Sequence, residues 1–167
     1  ENKLLKTLVC EINILKTLDI SIYPDLEILN AGYNSLTTVD ITKHPNLKRL
    51  SLPSNELTNL DFSNNAQLEL VYLSYNKLTT LDFSKNPKLF QIICDHNNLM
   101  KLNLKNGGNK VLDGKTYNSF KNNPSLSCIT VDDVEYANTV WADYKDAIAS
   151  YNTECGFSLP TTNFAIE

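Results

Sequence analysis

From Leu5 to Leu104 one arrangement of apolar and polar positions recurs every 21 residues, in blocks that begin at Leu5, Leu26, Leu47, Leu68 and Leu89. The first half of a block reads Leu47, Leu50, Leu52 and then Asn55, or Leu68, Val71, Leu73 and then Asn76. Leu50 and Leu52 alternate with Arg49 and Ser51, the period of two of a short parallel strand with one face inward. The second half nearly repeats the first, with Leu57, Leu60, Phe62 and Asn65, or Leu78, Leu81, Phe83 and Asn86. Segments such as LTTLDFS, with paired threonines and alternating apolar residues, suit a second extended run better than a helix. Pro24, Pro45 and Pro87 recur at one position and mark a turn. Each block is therefore expected to close one coil from two extended runs and two bends, and the blocks to stack into a mainly β solenoid. Asn13, Asn34, Asn55, Asn76 and Asn97 share the spacing of the blocks. Their amides are expected to form a structural ladder, bonding free backbone groups at the bend and one coil away.

After Leu104 the pattern breaks at NGGNKVLDGKTYNS. Phe120, Asn123 and Pro124 match the spacing of Phe83, Asn86 and Pro87, which implies an insertion near 105–119 as long as most of a coil, a surface loop or short hairpin. A last strand is expected at 126–131, through Leu126, Ile129 and Val131. Beyond it Val134, Ala137, Trp141, Tyr144, Ile148 and Tyr151 fall at helical spacing, with Asp132 or Asp133 placed to cap the start. The expected organisation is a solenoid over 1–131, a C-terminal cap with a helix over 132–155, and a tail or linker over 156–167. A cap is physically required, because the last coil otherwise opens its apolar cross-section to water. Asn2 falls on the position of Asn65 and Asn86, so the sequence opens inside a coil. The expectation is that the natural protein continues upstream or that a partner covers this end, leaving a monomer or a dimer through the uncapped N-terminal coil.

The pattern LxxLxLxxNxLxxLDLxxN, carried in register from Leu5 to Leu104, resembles the leucine-rich repeat family in its short 21-residue bacterial class. The departures are mild: Ala31 replaces the third leucine of the second block, and Cys10 and Cys94 occupy that position in the first and fifth. The resemblance implies a leucine-rich repeat solenoid that takes part in interactions, and it names no ligand. PSLSCITVDDVEYANTVW followed by Cys155 is also similar to the C-terminal cap of secreted repeat proteins from Bacteroidetes.

Cys10 and Cys94 occupy one inward position four coils apart, about 19 Å at about 4.8 Å per coil. A disulfide needs Cα atoms within about 7 Å, so both are expected to be buried free thiols. Cys128 and Cys155, one outward on the last strand and one after the helix, are expected to be bridged, which implies an oxidising compartment and an extracellular or cell-surface location. The alternative is a pair of free thiols in the cytosol.

Composition removes several functions. The chain has 167 residues and a net charge of -4, with no basic stripe for nucleic acid. No apolar run reaches the roughly 20 residues of a membrane span, so no membrane insertion is expected. No nucleophile elbow, phosphate loop or metal-spaced histidine pair occurs, and neither an enzymatic activity nor a cofactor nor a metal site is expected. The two histidines read as a turn residue, His44, and a surface residue, His96. Asp19, Asp40, Asp61 and Asp82, continued by Asn103, form an outward column. Its carboxylates either accept hydrogen bonds at the bend, as Ser21, Thr42, Ser63 and Ser84 suggest, or hold calcium, and the first is favoured because one column does not enclose a cation.

The strand face is better suited to recognition. Ile28, Arg49, Leu70, Tyr72 and Ile93 point outward beside Tyr33, Tyr75 and His96, a mixture of aliphatic, aromatic and arginine side chains typical of a contact surface. The leading expectation is a non-enzymatic module that recognises a protein, or a glycan, through this face. The alternative is a rigid spacer that presents a catalytic or adhesive domain of a longer protein.

Overall fold

The computed structural model describes residues 2–112 and 116–156. Among the described residues nine three-residue strands alternate with bends: β1 Thr7–Val9, β2 Ile28–Asn30, β3 Arg49–Ser51, β4 Leu70–Tyr72, β5 Thr80–Asp82, β6 Gln91–Ile93, β7 Lys101–Asn103, β8 Cys128–Thr130 and β9 Ser150–Asn152. An α-helix, α1, covers Val134–Val140. A five-stranded parallel sheet has the order β1-β2-β3-β4-β6, and a four-stranded parallel sheet the order β5-β7-β8-β9. The chain thus winds as a parallel β-solenoid of about seven turns, with the helix near its C-terminal end.

In the first sheet every strand pairs with the equivalent strand of the next block, Leu29 beside Leu50 and Leu50 beside Val71. The inward leucines therefore stack directly on one another, and Leu26, Leu47, Leu68 and Leu89 are fully buried. Coil one differs. Leu5, Leu8, Cys10, Leu15 and Leu18 are only partly buried, because they pack against a neighbouring coil on one side alone. Cys10 is accordingly half-exposed, contrary to the expectation of a buried thiol, whereas Cys94 is enclosed.

The asparagine ladder forms as expected, and its chemistry is explicit at Asn76. The side-chain amide donates to Leu52 O at 2.9 Å in the previous coil and to Leu73 O at 3.0 Å and Ser74 O at 3.4 Å in its own. Its Oδ1 accepts from Leu57 N at 3.0 Å. Asn55 and Asn97 repeat this set. Bend carbonyls that point inward, and would otherwise be stranded in the core, are satisfied this way. The residue before each ladder asparagine adopts a left-handed backbone: Ile12, Tyr33, Ser54, Tyr75, His96 and Asn122 all have φ between 53° and 57°.

Two local expectations are corrected. Ser119 bridges to Ile93, and Ile129 pairs with Leu102, so coil five is only slightly longer than the coils before it and contains no insertion of nearly coil length. Asn123 donates to Cys94 O, Phe120 O and Lys121 O and accepts from Leu99 N, the bond set of Asn97, and so it is the next rung of the strand-side ladder. It does not stand where Asn86 stands. Both half-coils carry an apolar residue three places before an asparagine, and this spacing alone does not separate them. The extra length passes through a 3-10 turn at Asn109–Val111 that buries Leu112; positions 113–115 of the expected loop lie outside the described residues.

The second correction concerns the cap. α1 begins as expected, with Asp133 accepting from Tyr136 N at 2.9 Å, but it stops before Trp141, and Tyr144 lies in a 3-10 turn. Ile148 is exposed and Tyr151 lies on β9, so neither belongs to the helix. The chain leaves the helix because the last coil has bonds to complete. Tyr144 O accepts from Phe120 N at 2.6 Å, and β9 pairs with β8. Asp146 accepts from Asn122 N at 3.0 Å and Asn123 N at 2.9 Å, supplying with one carboxylate the acceptors that a following coil would supply with backbone. Trp141 is fully buried against this coil and donates from Nε1 to Leu112 O at 2.6 Å, while the Tyr151 hydroxyl donates to Trp141 O at 2.7 Å. The Cys128–Cys155 disulfide, with Cα atoms 5.8 Å apart, fastens the chain after β9 back to β8. Of the expected tail over 156–167, all but Gly156 lies outside the described residues.

Candidate functional site

The five-stranded sheet brings the outward residues of the repeats onto one face. In register order Ile28, Arg49, Leu70 and Gln91 form one column, and Asn30, Ser51, Tyr72 and Ile93 the next. Ile28, Leu70, Tyr72 and Ile93 are half-buried, and Arg49 is exposed. Tyr33, Tyr75 and His96 follow at the edge, each on the left-handed residue of its coil, so the fold itself fixes the direction in which their rings project.

Hydrogen bonds hold this surface in place. The Tyr72 hydroxyl donates to Gln91 Oε1 at 3.0 Å, and Gln91 Nε2 donates to Tyr117 O at 3.0 Å. Asp95 accepts from the Ser74 hydroxyl at 2.6 Å and its other oxygen lies 2.7 Å from His96 Nδ1. The His96 ring stacks on Tyr75, with centroids 4.2 Å apart and planes 14° from parallel. Ser74, Asp95 and His96 do not form a catalytic relay, because Asp95 lies between the other two and the imidazole does not bond the hydroxyl. The cluster instead stiffens a pair of exposed rings, and Tyr33 and Tyr75 remain more than half exposed. The residue before Tyr33 is glycine for want of room: a Cβ on Gly32 would meet Pro53 Cδ at 2.8 Å.

The structure thus gathers the eight candidate residues onto one face, with Tyr33 apart from the rest: Ser54 separates it from the Tyr75–His96 stack. His44 is fully buried, as a turn residue can be, with Nε2 3.1 Å from Ile20 O.

The acidic column behaves as bend chemistry. Asp19, Asp40, Asp61 and Asp82 each accept from the backbone N–H two residues on, at 2.8 to 2.9 Å, and Asn103 does the same for Lys105. Hydrogen bonds from Ser21 and Thr42 hold the Asp19 and Asp40 carboxyls below the usual carboxylate range, and the Ser63 N–H does so for Asp61. Among the described residues no cluster of three metal-ligating side chains occurs, and no helix is long and apolar enough to cross a membrane.

The second sheet carries a feature that the sequence does not signal. A cleft of about 470 Å³ lies over β5, β7 and β8, lined by Thr80, Asp82, Lys101, Asn103, Thr130 and the disulfide. Its floor is the outward side of the half-coil, where the repeat pattern shows mostly polar residues, and its wall is the disulfide-fastened segment after β9, whose position no repeat spacing encodes.

Comparison with known proteins agrees with this architecture. No family profile matches the sequence, and no curated protein matches it significantly. Among solved structures the chain is similar to the functional domain of InlJ from Listeria monocytogenes, which includes a cysteine ladder, with 26% identity and a TM-score of 0.62 over 77% of this chain and 31% of that one. It is also similar to the leucine-rich repeat domain of APL1B, at 20% identity and a TM-score of 0.54 over 76% of this chain and 35% of that one. The APL1 leucine-rich repeat domain gives 20% identity and 0.54 over 75% of this chain and 42% of that one. The chain spans less than half the length of each of these chains. The fold is that of a leucine-rich repeat solenoid. In this chain Cys10 and Cys94 are separated along their column by Ala31, Leu52 and Leu73, so its two free thiols do not adjoin.

Proposed function

We propose that the chain is a non-enzymatic recognition module that binds a protein through the face of its five-stranded sheet. The observation that carries this reading is the preorganised aromatic and aliphatic surface around Tyr72, Tyr75 and His96. Rings already held by stacking and hydrogen bonding lose little freedom on binding, which is where rotamer-rich surfaces lose affinity. Tyrosine and arginine are the side chains that most often anchor interfaces. A protein is favoured over a glycan because half-buried aliphatics, Ile28, Leu70 and Ile93, surround the rings. The disulfide supports placement outside the cell or at its surface. The bacterial, 21-residue class of repeat is part of this reading, supported by the register of five blocks.

Selection of a displayed polypeptide library on the protein tests it. Binders are expected to lose about tenfold or more in affinity when Tyr72→Ala and Tyr75→Ala are combined, with an unchanged circular dichroism spectrum. Binders indifferent to both substitutions overturn the choice of surface, and the rigid-spacer role then stands in its place.

A further inference from the structure

The chain contains 15 basic side chains, and all but one are lysines; the single arginine is Arg49. It lies on β3, the central strand of the five-stranded sheet, and points outward. Its in-register neighbours are aliphatic, Ile28 on β2 and Leu70 on β4. The adjacent acid, Glu27, is already occupied on both oxygens: Lys6 Nζ donates to Oε1 and Lys48 Nζ to Oε2, each at 2.7 Å. Among the described residues no ion pair or side-chain hydrogen bond engages Arg49. The guanidinium therefore stands unpaired at the middle of an aliphatic and aromatic surface.

We infer that Arg49 is the anchor for a carboxylate of a polypeptide partner, an Asp or Glu side chain flanked by apolar residues. This inference rests on the strand-face reading above and adds the chemistry of the ligand. A guanidinium presents a planar fork of donors that matches a carboxylate with two parallel hydrogen bonds, which an ammonium does not. Ile28 and Leu70 on either side exclude water from the pair once a partner closes over it, and the same contacts accept the apolar residues beside the acid. A polyanion fits poorly. Phosphate-rich or sulfated ligands call for several cations together, whereas Glu11, Glu69 and Asp95 lie on the coils around this lone arginine and the whole chain carries a charge of -4.

The test uses linear peptides selected from a displayed library on the intact protein. A selected peptide and its analogue with the acid replaced by the amide are titrated by fluorescence anisotropy against the parent, Arg49→Gln, Arg49→Lys and the Tyr72→Ala/Tyr75→Ala pair. The expected result is an Asp or Glu shared among selected peptides, a loss of about tenfold or more with Arg49→Gln, and a partial loss with Arg49→Lys. The amide analogue is expected to lose a similar factor, and no more when combined with Arg49→Gln, because both changes remove one interaction. Peptides that depend on Tyr72 and Tyr75 but not on Arg49 overturn the carboxylate anchor and leave the strand-face reading intact. Peptides that depend on neither, or recovery of no peptide, overturn both. Binding of a sulfated oligosaccharide that depends on Arg49 and outcompetes the peptides also overturns the proposal, in favour of a glycan ligand.

Discussion

The solenoid has two bends per coil, and they are built to different standards. At the strand-side bend the same residue, asparagine, recurs at positions 13, 34, 55, 76, 97 and 123. At the far bend the corresponding positions hold Tyr23, His44, Asn65 and Asn86. The hydrogen bonds explain the difference. Asn76 donates to three carbonyls and accepts from Leu57 N, a set that needs a donor and an acceptor on one short side chain. Asn86 donates to Phe62 O at 3.2 Å and Asn65 O at 2.9 Å, but its Oδ1 has no partner among the described residues, and the same holds for Asn65. His44 performs the donor half with Nε2. A position that uses only a donor admits histidine; a position that uses both ends of an amide does not. Variation between repeats of one chain thus reports how many bonds each position makes.

The comparison breaks most directly at its own two rungs. Asn76→Ala strands buried carbonyls and an N–H and is expected to cost about 3–4 kcal/mol, against about 1–2 kcal/mol for Asn86→Ala, on the usual cost of unpaired buried groups. Chemical denaturation of the two variants measures both, and equal losses would remove the distinction between the bends. A smaller effect is expected from Asp146→Ala. It removes the carboxylate that accepts from Asn122 N and Asn123 N, at a cost of about 1–2 kcal/mol. Hydrogen exchange is expected to quicken at those two amides while the amides of coil three keep their protection; a uniform change across coils would count against a role confined to the end of the strand-side ladder. The smallest effect lies outside both bends. Hydrogen bonds from Lys48 and Lys6, with the charges of the same two lysines, lower the Glu27 carboxyl to about 2 from an ordinary 4.5. A lowered folded-state value stabilises the protein above the unfolded value, and the contribution disappears as pH falls from about 4.5 through about 2. Glu27→Gln is expected to flatten the stability profile slightly in that window, and only at low salt, because the lysines that pair with it are well exposed to solvent. An unchanged profile at low salt would show that the Lys6–Glu27–Lys48 chain contributes nothing.

Much of this architecture is legible in the residues alone, for reasons that also mark the limit. Strand-side rungs announce themselves because every coil must solve the same bonding problem, so periodicity identifies Asn34 and Asn97 without any structure. The aspartate column is equally readable, since a serine or threonine two residues on signals a local turn. Phe120 and Asn123 mislead because both bends share an apolar residue three places before an asparagine, and only the pairing of Ser119 with Ile93 distinguishes them. The cap helix reads too long because Trp141, Tyr144 and Tyr151 satisfy a helical period and a folded coil alike. Of the candidate surface, the membership of Tyr72, Tyr75 and His96 follows from register. Their mutual bracing through Asp95 and Gln91 does not, because it depends on side-chain directions.

Asp146 has a consequence beyond its own coil. A solenoid grows by adding one more copy of itself, and each copy hands the next an unfinished edge. Here a single side chain presents two oxygens where another turn of backbone would have stood, so the strand-side bend is finished by Asp146 while α1, Trp141 and the disulfide cover the rest of the coil. The stop is portable in principle. Any coil that leaves a pair of consecutive amides at this position can have that part of its edge completed by one well-placed carboxylate, a punctuation mark one residue long.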